Sequence, residues 1–200
     1  MIKAIIYDHG GVIVTQHGLR ACAEDYATKN GLNKKEFGDF VIENWQLAKV
    51  NTISSDEFWV RIAKYAKKSK DNLRTEFIKD IKVNEEMVKI IKKLHESNKI
   101  KLLHLSNHIE DWLESEISRF RIKGLFHHFL PSYRTRLAKP NRKAYQLALD
   151  ALGTKAEETI FVDDMERNTV VAMELGINVI LFDGNVENFR KKLISFGISI

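Results

Sequence analysis

Short apolar runs recur along the chain and predict buried β-strands. The first run, residues 2–7, is rich in β-branched and aromatic residues without polar alternation, as is typical of a strand covered on both faces. Similar runs lie at residues 99–107, 158–164 and 177–183. Three of the four runs end in polar residues, which are Asp8, Ser106 with Asn107, and Asp163 with Asp164.

Amphipathic segments between these runs predict helices. They span residues 84–97, 141–152 and 168–175, and Gly176 is positioned to end the last one. Strands that alternate with helices indicate an α/β fold, with a parallel sheet flanked by helices on both faces. In such folds ligands bind at the carboxyl ends of the strands, where the polar residues lie.

Residues 15–83 do not follow this alternation. Their apolar positions have helical spacing, Ser54 or Ser55 is placed to cap a helix, and no strand-like run is evident. We therefore expect a core domain made of residues 1–14 and 84–200. Residues 15–83 would form a separate helical domain, with hinges near Thr15 and Val83.

Composition narrows the class of protein. The chain has 200 residues, 44% of them hydrophobic and 30% charged, which fits a globular domain with a sizeable core. Its net charge of +5 suits an anionic ligand, but the lysines are spread over helix-like segments, so nucleic acid is not an expected partner.

The compartment is also constrained. Cys22 is the only cysteine, so no intrachain disulfide can form, and a reducing compartment is expected. Asp8 and His9 interrupt the first apolar run, which disfavours a signal peptide, and no apolar run is long enough to span a bilayer. The sequence thus predicts a cytoplasmic protein without a membrane partner.

Four short motifs lie at the ends of predicted strands or before a helix. They are "YDHGGV" around Asp8, "LSN" at Leu105 to Asn107, "AKP" at Ala138 to Pro140, and "FVDD" ending at Asp164. Singly, each is common as a helix cap, a turn or a helix start. Their order and their shared position at strand ends are harder to obtain by chance.

The pattern resembles the haloacid dehalogenase superfamily, in particular its phosphatase-like branch with a small helical cap. The segment from Phe161 to Ile177 is similar to the fourth motif of glucose-1-phosphate phosphatases and of the phosphatase domain attached to some epoxide hydrolases. The resemblance implies a Rossmann-like core with an inserted cap that closes over the site. It also implies that the backbone carbonyl of Gly10 is a metal ligand and that Asn168 holds a loop.

The side chains themselves suggest phosphoryl chemistry. Asp8, on a glycine-flanked turn, can attack phosphorus and form an aspartyl-phosphate. With Asp163 and Asp164 it forms an oxygen-rich cluster suited to Mg²⁺. Lys139 would place a positive charge opposite the metal, and Ser106 would donate to a phosphate oxygen, while Asn107 orients the substrate. The expected substrate contacts are His9, Gly10, Ser106, Asn107 and Lys139.

One position departs from the family pattern. Phosphatases of the superfamily usually carry a second Asp two residues after the nucleophile, as general acid and base, and here that residue is Gly10. Three interpretations follow. In the first, the chain is a phosphatase of a small phosphorylated metabolite, and the reaction needs little acid assistance or uses His9 or water as the acid. In the second it is a 2-haloacid dehalogenase. In the third it is a catalytically silent binding protein. The sequence does not choose a substrate or an oligomeric state.

Overall fold

The computed structural model describes residues 1–15 and 18–199. Its strands are β1 (Ala4–Tyr7), β2 (Val14–Thr15), β3 (Lys82–Val83), β4 (Lys101–Ser106), β5 (His128–Pro131), β6 (Thr159–Asp163) and β7 (Asn178–Leu181). Its helices are α1 (Gly18–Lys29), α2 (Lys34–Ala48), α3 (Ser55–Ala66), α4 (Lys70–Ile78), α5 (Glu85–Ser97), α6 (Glu110–Phe120), α7 (Ser132–Thr135), α8 (Arg142–Leu152), α9 (Glu166–Glu174) and α10 (Val186–Ser195). Residues 16 and 17, inside the expected helical domain, lie outside the described residues.

The central sheet has five parallel strands in the order β5-β4-β1-β6-β7. Strand β1 is in the middle, with Ile6 opposite Leu103 of β4 on one side and Phe161 of β6 on the other. The expected α/β fold with a parallel sheet is confirmed. Strand β5 had no sequence signal, because its apolar residues follow two histidines and it lies at the edge of the sheet, where its residues are mostly half-buried.

Helices cover both faces of the sheet. Ala4 and Ile6 point to the face covered by α8 and α9, where they pack with Tyr145 and Phe161. Ile5 and the rest of the alternate positions point to the face covered by α5, α6 and α10. Because side chains alternate along a strand, consecutive residues at the end of β1 are sent to opposite faces.

Side-chain caps fix where several helices begin and end. The side chains of Asn84, Asn141 and Ser54 accept hydrogen bonds from backbone N–H groups in the first turns of α5, α8 and α3. After α9 the chain turns at Gly176, which has a φ of +81°, the left-handed conformation that glycine adopts without strain.

Helices α1 to α4 lie between the first strand and the rest of the sheet. Contrary to expectation, residues 15–83 contain strand residues: Thr15 pairs antiparallel with Lys82, and Val83 pairs with Val14 of the expected core domain. Such two-residue strands are too short to show alternation in the sequence. They form a sheet of their own and add nothing to the five-stranded one.

The helical segment packs on the core through aromatic side chains. The rings of Trp45 and Trp59 lie 5.6 and 5.5 Å from that of Trp112 in α6. The indole N–H of Trp59 also donates to Asp111 at 3.0 Å. The apolar interior is therefore continuous between the two parts. None of the described helices is long and apolar enough to cross a membrane.

Candidate active site

Polar side chains from three adjacent strands meet at the carboxyl edge of the sheet. Asp8 directly follows β1, Asp163 is the last residue of β6, and Asn107 directly follows β4. Since β1 lies between β4 and β6, these three chain positions are brought side by side. Lys139 reaches the same place from the loop before α8.

Lys139 bridges two carboxylates. Its Nζ lies 2.6 Å from Asp8 Oδ1 and 2.8 Å from Asp163 Oδ2, and the lysine side chain is buried. Its backbone is held by Asn107, whose side-chain oxygen accepts from Lys139 N and whose side-chain NH₂ donates to Lys139 O, both at 2.8 Å. The ammonium group is thus fixed beside Asp8 by both its charge and its backbone.

Asp163 is the most constrained of the three acids. It has no exposed surface, and its carboxylate also accepts from Met165 N at 2.8 Å and from the Asn168 side chain at 3.0 Å. The Tyr145 hydroxyl donates to the Asn168 carbonyl at 2.9 Å. Asn168 therefore orients Asp163, in agreement with the loop-holding role that the family resemblance implies.

Burial and the neighbouring charges both shift the pKa values of Asp8 and Lys139. Burial raises the pKa of Asp8 to about 7, and the nearby Asp163 adds to the shift, while Lys139 and the backbone N–H of His9 oppose it. Burial alone would lower the pKa of Lys139, but Asp163 and Asp8 outweigh it, so that the lysine pKa is raised. Lys139 is therefore charged throughout the physiological range.

The three carboxylates could hold a divalent cation. Oxygen atoms of Asp8, Asp163 and Asp164 lie within 4.8 Å of one another. When all three are ionised they carry three negative charges against the one positive charge of Lys139, which leaves −2. A hard cation with oxygen ligands fits this donor set and balances that charge. Asp164 is exposed, whereas Asp163 is fully buried, so Asp164 has the freer carboxylate.

The two glycines after Asp8 have different surroundings. Gly11 has a φ of +75°, and a Cβ there would collide with the Asp164 carboxylate. The positive φ of this turn thus falls at Gly11 rather than at Gly10. Gly10 borders the cleft described below, and it pairs with Val14 in an isolated bridge.

Asp8 and Lys139 form part of the wall of a cleft of about 450 Å³ between the core and the helical segment. The core side contributes Asp8, Gly10, Asn107, His108, Lys139, Asp164, Met165, Arg167 and Asn168. The helical segment contributes Gly18, Leu19, Arg20, Ile42, Trp45, Gln46 and Lys49. Of the expected site residues, Ser106 is 2% exposed and does not border this cleft.

His9 points away from the cleft. Its ring is fully buried, with Nε2 at 2.6 Å from Glu116 Oε2 and Nδ1 at 2.9 Å from His104 Nε2. The other Glu116 oxygen accepts from the Trp112 indole at 2.6 Å. With both ring nitrogens occupied, His9 does not reach a substrate in the cleft. Its contribution to the site is the backbone N–H beside Asp8.

The sequence does not predict this buried histidine cluster. His104 and His108 are four residues apart, but His9 precedes His104 by 95 residues, so no local spacing connects His9 to the other members, His108 and Glu116 included. Lys49 and Arg167 were also missed as cleft residues, because a lysine or arginine on a helix carries no sequence signal of what it faces.

Comparisons with known proteins agree on the fold. The sequence profile described as haloacid dehalogenase-like hydrolase matches residues 5–182. The fold is similar to the HAD family enzyme BT-2542 of Bacteroides thetaiotaomicron in its magnesium complex, with 24% identity, a TM-score of 0.79, and 94% of this chain and 98% of that chain covered. The complex of the same enzyme with magnesium and inorganic phosphate has 23% identity, a TM-score of 0.74, and coverages of 92% and 96%.

A more distant similarity is to the L-2-haloacid dehalogenase of Xanthobacter autotrophicus. The identity is 15%, the TM-score is 0.64, and 99% of this chain and 84% of that chain are covered. No curated protein sequence matches. Because the family profile spans most of the chain, from β1 to the residue after β7, the protein belongs to the haloacid dehalogenase-like hydrolases.

Proposed function

We propose that the protein is a Mg²⁺-dependent phosphatase that hydrolyses a small phosphomonoester through an aspartyl-phosphate on Asp8. One observation carries the proposal: Lys139 joins Asp8 to Asp163 at the edge of a cleft into which Asp164 is exposed. A nucleophilic carboxylate, a fixed ammonium group and spare carboxylate oxygens for a cation are the parts that phosphoryl transfer requires.

Asp8, Asp164 and the backbone carbonyl of Gly10 would hold the metal, with Asp163 close behind them. Bound there, Mg²⁺ would offset the negative charges of the carboxylates and the phosphoryl group and so allow the two to approach. The magnesium complexes of the Bacteroides enzyme support this assignment. The residual charge of the carboxylate cluster supports it independently.

The protein residues then divide the reaction into two displacements. A carboxylate oxygen of Asp8 forms a bond to phosphorus as the bond to the leaving oxygen breaks. Water next attacks the aspartyl-phosphate, which releases phosphate and restores Asp8. Lys139 stabilises the charge on the phosphoryl oxygens in both steps. Asn107 borders the cleft and orients the phosphoryl group, while Ser106 supports the strand end beneath it.

Gly10 determines which substrates react well. It has no side chain to protonate the leaving oxygen, and the occupied ring of His9 does not replace it. The leaving group must therefore depart as a stable anion or take its proton from water. Sugar 1-phosphates and aryl phosphates meet this condition better than simple alkyl phosphates.

Residues 15–83 act in this proposal as a cap. Ile42, Trp45 and Lys49 of this segment line the cleft opposite Asp8, so they contact the leaving group. Closure of the cap would expel water and select the substrate. We place the enzyme in the cytoplasm, where its lone cysteine stays reduced and its substrate is a metabolite.

Dehalogenation is the second candidate, and Gly10 favours it because halide leaves without a proton. The carboxylate cluster argues against it, since attack on carbon requires no cation. A silent binding protein would retain the fold and the metal without turnover.

A single experiment separates the three functions. Phosphomonoesters and 2-haloacids are assayed with Mg²⁺ and with a chelator, and the enzyme is quenched in acid to trap a phosphoryl adduct. We expect phosphate release that requires Mg²⁺, together with a hydroxylamine-sensitive adduct. Chelator-insensitive halide release would establish the dehalogenase, and binding without either product would establish the silent protein.

A further inference from the structure

Two basic residues face each other across the cleft. Lys49 follows α2 on the cap side, and Arg167 lies in the first turn of α9 on the core side. Both border the same cleft as Asp8. Burial lowers the pKa of Lys49, and the positive charge of Arg167 lowers it further, so the two charges lie near enough to repel.

Neither residue forms a salt bridge with a carboxylate among the described residues, although the charge of Arg167 lowers the pKa of Asp164. The ion pairs of this region involve other groups: Lys139 is paired with Asp8 and Asp163, and Arg20 is paired with Asp39 at 2.8 Å. The guanidinium of Arg167 donates over a long distance of 3.5 Å to the sulfur of Met165. Two neighbouring cations that form no salt bridge, one of them half-buried, destabilise the free protein.

The position of Arg167 destabilises the free protein further. Cations in the first turn of a helix oppose the helix dipole, which favours negative charge there. An arginine at this position, beside a lysine and at the border of a cleft, is best explained by an anion that binds between them. Asp164 of the carboxylate cluster lies close enough for the charge of Arg167 to lower its pKa, but in the proposed enzyme that carboxylate holds the metal, so it does not balance both cations.

We propose that Lys49 and Arg167 form a subsite for a second anionic group, so that the substrate is a phosphomonoester whose leaving group carries a carboxylate or another phosphoryl group. This inference rests on the proposed phosphatase function and specifies its substrate class. The cleft of about 450 Å³ is in the range that holds a small organic ligand, which leaves room for a leaving group beside the phosphate. The phosphoryl group that reacts lies at Asp8, and the second anion lies between the cap and α9.

Four aryl substrates test the subsite. Phenyl phosphate and 4-(methoxycarbonyl)phenyl phosphate have uncharged leaving groups, whereas 4-carboxyphenyl phosphate and 1,4-phenylene bisphosphate carry a second anion. For each protein the ratio of kcat/KM for an anionic substrate to that for the methyl ester is determined. Comparing this ratio between proteins removes differences in intrinsic reactivity.

Lys49→Gln and Arg167→Gln should each lower this ratio roughly tenfold or more, because each removes one charge-assisted contact to the second anion. Arg20→Gln is the matched control, since it removes a cation from the same cleft that already has a carboxylate partner. Its ratio should equal that of the parent.

A lower ratio with the bisphosphate alone identifies a phosphoryl group as the second anion, and a lower ratio with both anionic substrates shows that the subsite accepts either anion. Unchanged ratios, or an equal fall in the control, would overturn the subsite.

Binding separates failure of the subsite from failure of the phosphatase proposal. If the parent hydrolyses none of the four substrates with Mg²⁺, the proposed function is wrong. The bisphosphate is also titrated calorimetrically into Asp8→Asn and into Asp8→Asn/Lys49→Gln. Weaker binding to the double variant supports the subsite without any turnover, and equal binding contradicts it. Hydrolysis of phenyl phosphate with unchanged ratios rejects only the subsite.

Discussion

Asp8 and His9 are neighbours in the chain, but their side chains enter two different buried polar clusters. Asp8 joins Lys139 and Asp163 on the side of the sheet that opens to the cleft. His9 joins His104 and Glu116 behind the strand, where all three are buried. Alternation of side chains at the end of a strand separates the two clusters.

The two clusters differ in how their charges are balanced. Glu116 accepts from His9 and Trp112, and although burial alone would raise its pKa, these hydrogen bonds and the nearby histidines lower it. The carboxylate cluster instead keeps an excess of negative charge and is open to solvent at Asp164. The charge of Glu116 is balanced by hydrogen bonds inside the protein, whereas a carboxylate cluster with spare charge beside a cleft can bind an ion and react.

Replacing the nucleophile tests this difference most strongly. Asp8→Asn should lower kcat on the order of 10⁴-fold or more, as expected for loss of a covalent nucleophile. The fold should persist, because Lys139 retains Asp163 as its partner. Initial rates and the urea unfolding midpoint measure the two effects. Asp150→Asn, on the exposed side of α8, is the control, and residual turnover in Asp8→Asn near the parental rate would remove Asp8 from the reaction.

The two adjacent acids should have different roles within the carboxylate cluster. Asp164→Asn should raise the Mg²⁺ concentration for half-maximal activity by roughly 100-fold, as expected when a ligand is weakened. Asp163→Asn should instead lower kcat at saturating Mg²⁺, because Asp163 holds Lys139 and Asn168 in place. Mg²⁺ activation curves of the two variants distinguish these outcomes. If the Mg²⁺ concentration for half-maximal activity rose more in Asp163→Asn than in Asp164→Asn, Asp163 would be the direct metal ligand.

Gly10→Asp should reduce the dependence of the hydrolysis rate on the leaving group. The new carboxyl group can protonate the leaving oxygen, so hydrolysis of alkyl phosphates should rise roughly tenfold to 100-fold and that of aryl phosphates much less. Gly11→Ala is the control: it should lose activity, because the turn requires a positive φ and space for Asp164. An equal gain for both substrate types would indicate better metal binding instead of proton transfer.

The sequence predicted one cluster and not the other for physical reasons. Each member of the carboxylate cluster follows a strand or precedes a helix, so the rule that parallel strands meet at one edge places them together. The histidine cluster depends on how α6 packs against β1 and β4, which no local pattern records. The same holds for β5, an edge strand without a clear apolar run. It also holds for Lys49 and Arg167, whose place in the cleft depends on how the helical segment packs on the sheet. The division into core and cap stays a prediction.

Acid should weaken the histidine cluster by a smaller amount that can be measured separately. Burial lowers the pKa of His108 from its usual 6.5 to about 4, with Glu116 opposing the shift and His9 adding to it. Because the unfolded chain takes up this proton near pH 6.5 and the folded protein only near pH 4, the folded state has its full stability above pH 6.5. That stability is lost as the pH falls towards 4. Between pH 7.5 and 5.5 the free energy of unfolding should fall by about 1 kcal/mol from His108 alone.

His108→Asn keeps an acceptor for Ile109 N–H and removes the titration, so its urea unfolding free energies should show a correspondingly flatter pH dependence. Asp8 titrates in the opposite direction, and subtracting the variant from the parent cancels its contribution. His128→Gln, in β5 and outside the cluster, should match the parent, and an unaltered slope in His108→Asn would show that its imidazole is not held neutral by the fold.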